Sequence, residues 1–401
     1  MPPWIEKLSS PEVIRFIQEN AGLDEQELLL KHDTLLGLPT RLLARQLKGR
    51  RKAKEKLPLW YQTPGIVYPP AVALEQCSSE ITARYKTGLI MPFVGQNPAQ
   101  AADLTGGMGV DTFYLSTLFQ EVAYVEPDAS LLEISRHNHQ VLGAKNIHYH
   151  ALTAHDFLKQ NLGKFDLVYA DPSRKSSRGS KAIRLQDCSP DITALQNLIF
   201  ASSPNFLLKT SPLLDISEGL RQLPQTTEVH VVAVNNEVKE LLFLATPFLS
   251  QQPVIKTVNF QNGNRMEFAF TFAEEQQAEV QYAAPLTWLY EPNLAIMKAG
   301  AFKLAAGRFG LLKLHPNTHL YTSHSPIENF PGRMFRVEAG LKPGHALKNL
   351  YGARAHVLVR NYPVAANRLA LKYHLTAAGE DYLIACTSVS GKHLLLTKRI
   401  K

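Results

Sequence analysis

The sequence predicts an α/β protein with a doubly wound parallel sheet that closes with antiparallel strands, a helical N-terminal region and a small α+β C-terminal domain. Through the middle of the chain, apolar strand-like segments alternate with helical segments, which is the pattern of a parallel sheet. Three strand-like segments then follow without helices between them, and QNGN in this stretch predicts a hairpin turn. After residue 284 the chain becomes strongly basic.

These patterns predict three parts, at residues 1–65, 66–284 and 285–401. In the first part, Ser10 and Pro11 fit the N-cap and first residue of a helix. A second helix is predicted in RLLARQLKGRRKAKEKLPLW. The strand-like segments of the second part are PAQAADLTGG, EVAYVEPD, NIHYHAL, KFDLVYADPS, SPNFLLKTSP, TEVHVVAVN, KELLFLATPF, PVIKTVNFQNGN and RMEFAFTFAEE. The third part contains AHVLVRNYP, DYLIACTSVSG and KHLLLTKRI as strands, with helices in NLAIMKAGAFKLAAGRFG and PVAANRLALKYHL.

Composition excludes several classes of protein. No apolar run reaches the ~18 residues of a membrane span, and the N-terminus lacks the basic and apolar blocks of a secretory signal. The three cysteines are far apart, without a CxxC pair. We therefore expect a protein of the reducing cytoplasm, with neither a disulfide framework nor a metal site.

Charge is unevenly distributed along the chain. The net charge is +8 overall, and residues 285–401 contain 16 basic and 5 acidic residues. Residues 61–284 are mildly acidic instead, and eight basic residues lie between Arg41 and Lys56. Basic ends around an acidic middle favour a catalytic domain with regions that hold a polyanion such as RNA. The alternatives are a surface that only confers solubility and, for residues 41–56, a solvated helix end.

The segment ADLTGGMGVD, residues 102–111, combines a strand end, an acid and a glycine-rich turn. Ligands of open parallel sheets bind at the carboxyl ends of the strands, where glycines allow close approach and helix N-termini offer free N–H groups. The spacing of Gly106, Gly107 and Gly109 matches neither the G-x-G-x-x-G pattern nor a P-loop. An adenosine ligand without a long phosphate chain is therefore favoured, and the acidic surroundings suit a cationic one. The alternative is a tight strand-to-helix turn without a ligand.

Three other positions fit such a ligand. Glu126, 23 residues after Asp103, can accept both ribose hydroxyls, and Asp103 can face the positive amino-acid end of the ligand. Asp156 is expected to accept a hydrogen bond from the adenine amino group, and Phe157 to pack on the ring.

Residues 103–212 resemble the class I S-adenosylmethionine-dependent methyltransferases. DLTGGMGVD, VEPD and ADPSR stand where that family has its first, second and fourth motifs. The resemblance implies a Rossmann-like fold and S-adenosyl-L-methionine as cofactor. It assigns Thr105, Asp111 and Pro127 to the cofactor site, beside the three glycines and the acids named above.

From about residue 45 to 401, the chain resembles bacterial methyltransferases that carry a C-terminal THUMP-like domain. DLTGGMGVD, the DPxR-type motif, LKTSPLLD, VKELL and YEPNLAIMKAG occur here in that order. The resemblance implies that residues 285–401 bind RNA, as their charge independently suggests. Basic and aromatic residues suited to RNA in this part are Arg354, Arg360, Arg368, Lys372, Tyr362 and Tyr373, although the two tyrosines could instead be core residues.

The fourth motif predicts the acceptor site. Amino-group methyltransferases often have Asp/Asn-Pro-Pro-aromatic here, whereas this chain has Asp171, Pro172, Ser173 and Arg174. Asp171 is expected to orient a base nitrogen, with a turn cap as its alternative role. Arg174 could stack on a base through its guanidinium plane or bind a phosphate.

Two further residues are candidates for assisting Asp171. Lys209 follows an apolar strand, so that burial could lower its pKa, although it could instead pair with Asp215. Asp187 is the other candidate. The segment after this strand reads KTSP and lacks the cysteine that uracil C5-methyltransferases use. Cys188 is expected to be a small buried filler, so C5 methylation is disfavoured.

The basic loop from Arg174 to Arg184 borders this predicted site and is suited to attracting phosphates. Together these features predict methyl transfer to a nucleobase nitrogen of structured RNA, with guanine in tRNA as the first choice. The other hypotheses are a catalytically silent RNA-binding protein that keeps the fold, and a methyltransferase for a protein or a small molecule.

Overall fold

The computed structural model describes residues 2–31, 33–174, 184–341 and 354–401. The chain divides into two compact units, residues 1–226 with 243–249, and residues 227–242 with 250–401. The boundaries expected at residues 65 and 284 stay predictions. Within the described ranges, no helix is both long and apolar enough to cross a membrane.

The helices of the first unit are α1 (Pro3–Leu8), α2 (Pro11–Glu19), α3 (Glu25–Lys31), α4 (Thr40–Lys56), α5 (Pro58–Gln62), α6 (Ala71–Gln76), α7 (Glu80–Val94), α8 (Val110–Ser116), α9 (Ala129–Val141), α10 (Ala154–Gln160), α11 (Ile192–Ser202) and α12 (Ile216–Gln222). Its strands are β1 (Thr34–Leu35), β2 (Leu38–Pro39), β3 (Gln100–Asp103), β4 (Glu121–Val125), β5 (Ile147–His150), β6 (Leu167–Ala170), β7 (Ser173–Arg174), β8 (Cys188–Ser189) and β9 (Phe206–Thr210).

The later strands are β10 (Thr226–Val234), β11 (Glu237–Ala245), β12 (Val254–Gln261), β13 (Asn264–Thr271), β14 (Trp288–Pro292), β15 (Leu312–His315), β16 (Thr318–Ser323), β17 (Gly332–Leu341), β18 (His356–Arg360), β19 (Asp381–Ser388) and β20 (Gly391–Arg399). The helices here are α13 (Phe272–Gln277), α14 (Leu294–Ala299), α15 (Phe302–Arg308) and α16 (Ala366–Lys372).

A parallel sheet forms the centre of the first unit. Five neighbouring strands lie in the order β9-β6-β3-β4-β5, and all four pairs between them are parallel. From β3 the chain first adds β4 and β5 on one side, and then β6 and β9 on the other. The carboxyl ends of β3 and β6 therefore lie at the switch point, where ligands bind in such sheets.

Helix starts at this edge of the sheet are fixed by side-chain caps. Asp128 accepts hydrogen bonds from the N–H groups of Ser130 and Leu131 at the start of α9. Thr153 caps α10, Asp191 caps α11 and Asp215 caps α12 in the same way. Short polar side chains satisfy the free N–H groups of a first helical turn. The chain thus turns from strand to helix at defined residues.

The N-terminal helices have a core of their own. The predicted start of α2, with Ser10 as N-cap and Pro11 as first residue, is confirmed. In α4, Leu43 and Leu47 are fully buried. Several basic residues of α4 have structural partners: Arg50 donates to the Tyr61 carbonyl oxygen, Arg51 pairs with Glu25, and Lys56 donates to the Leu74 carbonyl oxygen.

The second unit contains a seven-stranded sheet in the order β15-β16-β14-β17-β20-β19-β18. The strands and helices that the sequence predicts after residue 285 are present as α14, α15, β18, α16, β19 and β20. Before them in the chain, β12 and β13 form the predicted antiparallel hairpin. Asn262 and Gly263 in its turn both have positive φ, 52° and 75°, as a two-residue hairpin turn of this kind requires.

Candidate functional site

A cavity of about 410 Å³ lies in the first unit, at the carboxyl ends of β3, β4 and β6. Its described lining includes the whole 103–111 segment and four acids, and it contains no lysine or arginine. The acids are Asp103, Asp111, Glu126 and Asp171. Apolar surface comes from residues of helix α6, the β4–α9 turn and helix α10.

The glycine-rich turn is held from behind by rigid side chains. A Cβ at Gly106 would lie 2.3 Å from Cε2 of Tyr124, and a Cβ at Gly109 would lie 2.4 Å from Nε2 of His139. Gly109 also has a φ of 77° and is the N-cap of α8. Both positions therefore require glycine, because a side chain would either clash or force the backbone away from its partners.

His139 supports this turn as a neutral residue. Its Nε2 lies 2.8 Å from the Gly109 carbonyl oxygen, and its Nδ1 lies 2.9 Å from the Tyr149 hydroxyl. Burial lowers the pKa of His139 to about 4. Tyr124 and Ser135 both donate hydrogen bonds to the Gly107 carbonyl oxygen, at 2.6 and 2.9 Å.

Asp103 and Glu126 fix the two ends of the turn. Asp103 accepts hydrogen bonds from the Thr105 N–H at 3.0 Å and from the Thr112 hydroxyl at 2.6 Å. Glu126 accepts from the N–H groups of Gly107, at 3.0 Å, and Asp128, at 2.9 Å. Burial raises the pKa of Asp103 to about 7, although the two hydrogen bonds oppose this shift.

Two ion pairs lie at the cavity, and the first of them is buried. Nζ of Lys86, on helix α7, lies 3.2 Å from Oδ1 of Asp111, and both side chains are almost fully buried. Ser78 and Tyr169 donate hydrogen bonds to Oδ2 of Asp111, at 2.7 and 2.8 Å. Burial alone would raise the pKa of Asp111, but Lys86, Lys209 and these hydrogen bonds outweigh it and lower the pKa.

The second pair joins Lys209, at the end of β9, to Asp171, after β6. Asp215, the alternative partner considered for Lys209, caps helix α12. The Asp171 N–H donates to the Thr105 hydroxyl at 2.6 Å, which connects the fourth motif to the first. Burial raises the pKa of Asp171, and Lys209 offsets only part of this effect.

Breaking the first pair is expected to destabilise the protein strongly. A Lys86→Met variant leaves the Asp111 charge buried without its cation, which costs about 3–5 kcal/mol in the free energy of unfolding. Lys54→Met, at an exposed position of α4, is expected to change it by less than about 0.5 kcal/mol. Denaturant unfolding measures both, and equal stabilities of the two variants would contradict this account of the pair.

Comparison with solved structures places this geometry in a known family. A protein from Porphyromonas gingivalis W83, described as a putative methyltransferase, is 30% identical to this chain with a TM-score of 0.85, and the match covers 97% of this chain and 98% of that one. The chain belongs to the same family. Its first unit has the Rossmann-like methyltransferase fold, so the predicted fold class is confirmed.

Other comparisons match parts of the chain. The model of a ferredoxin-like domain family matches residues 288–331. An rRNA methylase from Streptococcus thermophilus is 13% identical, with a TM-score of 0.31, over 42% of this chain and 98% of that chain. A putative methyltransferase from Streptococcus mutans in complex with SAH is 16% identical, with a TM-score of 0.30, over 40% of this chain and 97% of that chain. No curated protein sequence matches this chain.

Most cofactor residues predicted from the sequence line the cavity of this family member. They are Asp103, Thr105, Gly106, Gly107, Gly109, Asp111, Glu126 and Pro127. The cavity does not include Asp156 and Phe157. The Asp156 carboxylate is exposed and accepts from the Thr153 hydroxyl, while Phe157 is buried against His150 and Phe165. Thr153 and Ala154 line the cavity in their place.

The predicted acceptor residues are described in part. Asp171 and Ser173 line the cavity, and β7 pairs with β8 so that Ser189 and Pro190 also reach it. Pro172, between Asp171 and Ser173 in the sequence, is buried. The Arg174 side chain and residues 175–183 of the basic loop lie outside the described part of the chain. Asp187, the other candidate for assisting Asp171, pairs with Arg184, and Cys188 is buried, as a filler residue should be.

The segment from the end of α6 through α7 supplies two residues that were not predicted from the sequence. Cys77 lines the cavity, and burial raises the pKa of its thiol to about 11. Lys86 lies on the same helical face as the buried residues Thr82 and Ile90. The presence of a lysine among the buried positions of a helix could have indicated an ion pair here, because a buried cation needs a partner. Among the described residues, no group of His, Cys, Asp and Glu forms a candidate metal site.

Proposed function

We propose that this protein is an S-adenosylmethionine-dependent methyltransferase that modifies a nucleobase nitrogen of structured RNA, with guanine in tRNA as the favoured target. The observation that carries the cofactor proposal is the composition of the cavity, which has four acids and no described cation around a glycine-rich turn. Such a site suits a cationic adenosine ligand with free ribose hydroxyls and disfavours a polyphosphate.

The residues present fit this cofactor. Glu126, held by the N–H groups of Gly107 and Asp128, keeps lone pairs for ribose hydroxyls. Asp103 faces the cavity as an acid for the amino group of the ligand. Tyr124 and His139 pack closely against Gly106 and Gly109, so the backbone of these glycines forms part of the cavity wall. S-adenosylmethionine supplies an electrophilic methyl group on a sulfonium centre.

Asp171 is proposed to orient the acceptor nitrogen. The nitrogen would form one bond to the methyl carbon while the bond from that carbon to the sulfonium sulfur breaks, with its electron pair kept by the sulfur of S-adenosylhomocysteine. The nitrogen also gives up one proton, and the Asp171 carboxylate accepts this proton in our proposal. Burial raises its pKa, which favours proton uptake, while Lys209 holds the carboxylate in place. Alignment of acceptor and donor supplies most of the rate enhancement in a transfer of this kind.

RNA as substrate is supported by residues 285–401. Their net charge is +11, and within them residues 288–331 match the model of a ferredoxin-like domain family. Arg368 and Lys372 are exposed on α16, and Arg354 is exposed before β18. Arg360 pairs with the buried Glu291, and Tyr373 is buried. The exposed members are the better candidates for phosphate contacts.

Cofactor affinity is expected to rise with pH because of Asp103. Burial raises its pKa to about 7, so its carboxyl is mostly protonated at pH 6 and mostly ionised at pH 7.5. A cationic amino group binds the ionised form, and calorimetry with S-adenosylmethionine should show an affinity increase of roughly tenfold over this range. An Asp103→Asn variant should lose the increase. The same rise of cofactor affinity with pH in the wild type and in Asp103→Asn would contradict this role of Asp103.

Methyl transfer to RNA tests the substrate. We expect the protein, with isotopically labelled S-adenosylmethionine, to methylate total RNA from a strain that lacks it, and mass spectrometry of nucleosides to find the label on a base nitrogen. RNA from a strain that contains the protein is the control, since its sites are already modified. Label on protein, on small molecules or on no product would contradict the RNA proposal.

A further inference from the structure

A second cavity, of about 610 Å³, lies among the N-terminal helices of the first unit. Trp4 and Lys7 of α1, Arg45 of α4 and Ser130 of α9 contribute its polar and aromatic lining, and residues 37–39 contribute apolar surface. Among the described residues that line it there is no aspartate or glutamate. This composition is the reverse of the cofactor cavity, where acids occur without a described cation.

Arg45 is the unusual residue of this second cavity. Its Nε and Nη2 atoms are buried, and neither has a hydrogen-bond partner among the described residues. The guanidinium carbon lies 5.7 Å from the centre of the Trp4 ring, a contact that leaves the N–H edge unsatisfied. Burial lowers the pKa of Arg45, with no carboxylate acting against it. A buried guanidinium without acceptors is costly, so a ligand with acceptor oxygens would stabilise it.

We propose that this second cavity binds a backbone phosphate of the RNA substrate, with Arg45 as its principal ligand. The proposal rests on the RNA substrate proposed above. The Nε–Nη2 edge of Arg45 has almost no accessible surface in this structure, so binding requires the side chain to turn this edge into the cavity. There its two parallel N–H groups match two oxygens of a phosphate. Lys7, whose Nζ lies 3.7 Å from Glu12 and whose side chain is 42% exposed, adds a second positive charge.

The charge of the neighbouring helix surface favours a polyanion over an isolated phosphate. Arg41 and Lys48, which flank Arg45 by about one turn of α4, are both exposed and have no ion pair among the described residues. Arg50, Arg51, Lys52 and Lys56 on the same helix have structural partners instead. Arg41, Arg45 and Lys48, spaced by four and three residues, thus form a row on one face of α4, and Lys54 is a further exposed cation of this helix.

A chain of hydrogen bonds connects the second cavity to the cofactor cavity. Glu126, which lines the cofactor cavity, accepts from the Asp128 N–H, and Asp128 accepts from the N–H of Ser130. Ser130 lines the second cavity. A phosphate at Arg45 would therefore lie against the same short connection, residues 126–130, that holds the cofactor. This arrangement suits a contact that positions RNA relative to the methyl donor.

The test compares Arg45→Met with Arg15→Met in the full-length protein. Arg15 is exposed on α2 and does not line the second cavity, so it controls for the loss of one positive charge. Binding of a fluorescein-labelled RNA hairpin is measured by anisotropy over a range of salt concentrations. We expect Arg45→Met to weaken binding by about tenfold or more and to reduce the slope of log K against log salt by about 0.7–0.9. Arg15→Met should change neither.

Arg45→Lys is measured beside these variants, with thermal unfolding of each as a check of folding. It keeps the charge and loses the two-pronged N–H edge, so we expect a smaller loss of about three- to tenfold with an unchanged salt slope. Wild-type affinity in Arg45→Lys would overturn the two-pronged contact, even if Arg45→Met did not fold.

Other results overturn the proposal as well. Equal RNA affinity of the wild type and Arg45→Met would do so, as would equal losses in Arg45→Met and Arg15→Met. If the second cavity binds free phosphate instead, inorganic phosphate would stabilise the wild type but not Arg45→Met, and the two proteins would bind RNA equally well. That result would also overturn the proposal. Failure of the proposed function is distinguishable, since it would appear as no methyl transfer to RNA by the wild type.

Discussion

Replacing Gly109 by alanine is expected to abolish cofactor binding and to destabilise the first unit. The new Cβ would lie 2.4 Å from Nε2 of His139, which cannot move away because Tyr149 and the Gly109 carbonyl oxygen hold both its nitrogens. The backbone at this position also has φ of 77°, where a side chain adds about 1–2 kcal/mol of strain. With about 1–3 kcal/mol for the overpacking, the free energy of unfolding should fall by roughly 2–5 kcal/mol.

Calorimetry with S-adenosylmethionine and thermal unfolding check this prediction. We expect the affinity to fall at least about 100-fold, because a displaced turn removes the cavity wall. Gly88→Ala is the matched control: Gly88 is exposed within α7, and a Cβ there meets no atom within 4 Å. Alanine should be neutral or stabilise this helix by up to about 1 kcal/mol. Normal cofactor affinity in Gly109→Ala would refute the assignment of this turn.

Replacing Asp171 by asparagine is expected to lower kcat by about 10²–10⁴-fold, with less than about tenfold change in cofactor affinity. The amide keeps the shape of the side chain, but it cannot accept the proton from the acceptor nitrogen, and it leaves Lys209 without its carboxylate partner. Steady-state kinetics on RNA and calorimetry with the cofactor separate the two effects. Full methyl-transfer activity in this variant would end the assignment of Asp171.

Two variants control for structural damage in this experiment. Asp215→Asn changes an acid that the sequence left open as the partner of Lys209, and asparagine can still cap α12. We expect it to keep full activity. The double variant Asp171→Asn, Lys209→Met removes both members of the pair and should not recover activity.

The sequence contained most of the information about the parallel sheet and the glycine-rich turn. Strands β3, β4, β6 and β9 are short apolar runs whose ends carry the diagnostic residues Asp103, Glu126, Asp171 and Lys209. Alternation of such runs with capped helices determines their order and direction. The site residues that lie on these strand ends are therefore the ones that the sequence predicted together in one cavity.

Residues outside the strand ends were harder to place. Asp156 follows a strand, but it turns its carboxylate to the Thr153 hydroxyl within the first turn of α10, a local hydrogen bond that competes with ligand binding. Lys86 reaches the site from α7, which precedes the sheet in the chain, and no local pattern records such a long-range contact. The sequence offered only Asp215 as a partner of Lys209. The pair with Asp171 depends on β6 and β9 being neighbours in the sheet, which no local pattern records.

In the C-terminal unit, the sequence likewise predicted only some of the strands. The sequence predicted β18, β19 and β20, which are rich in apolar β-branched or leucine residues, but it did not predict β14 to β17. β17 alternates charged and apolar residues in GRMFRVEAGL, and β15 and β16 are connected through a Pro-Asn turn. Their strand character depends on pairing within the seven-stranded sheet, which is a tertiary effect.

The most direct test of the account is a crystal structure of the protein with S-adenosylhomocysteine. We expect the ligand in the 410 Å³ cavity, with its ribose hydroxyls on Glu126 and its amino group towards Asp103, against the backbone of residues 106–109. Binding elsewhere, or a cavity that stays without ligand at saturating concentration, would contradict the proposed methyltransferase site.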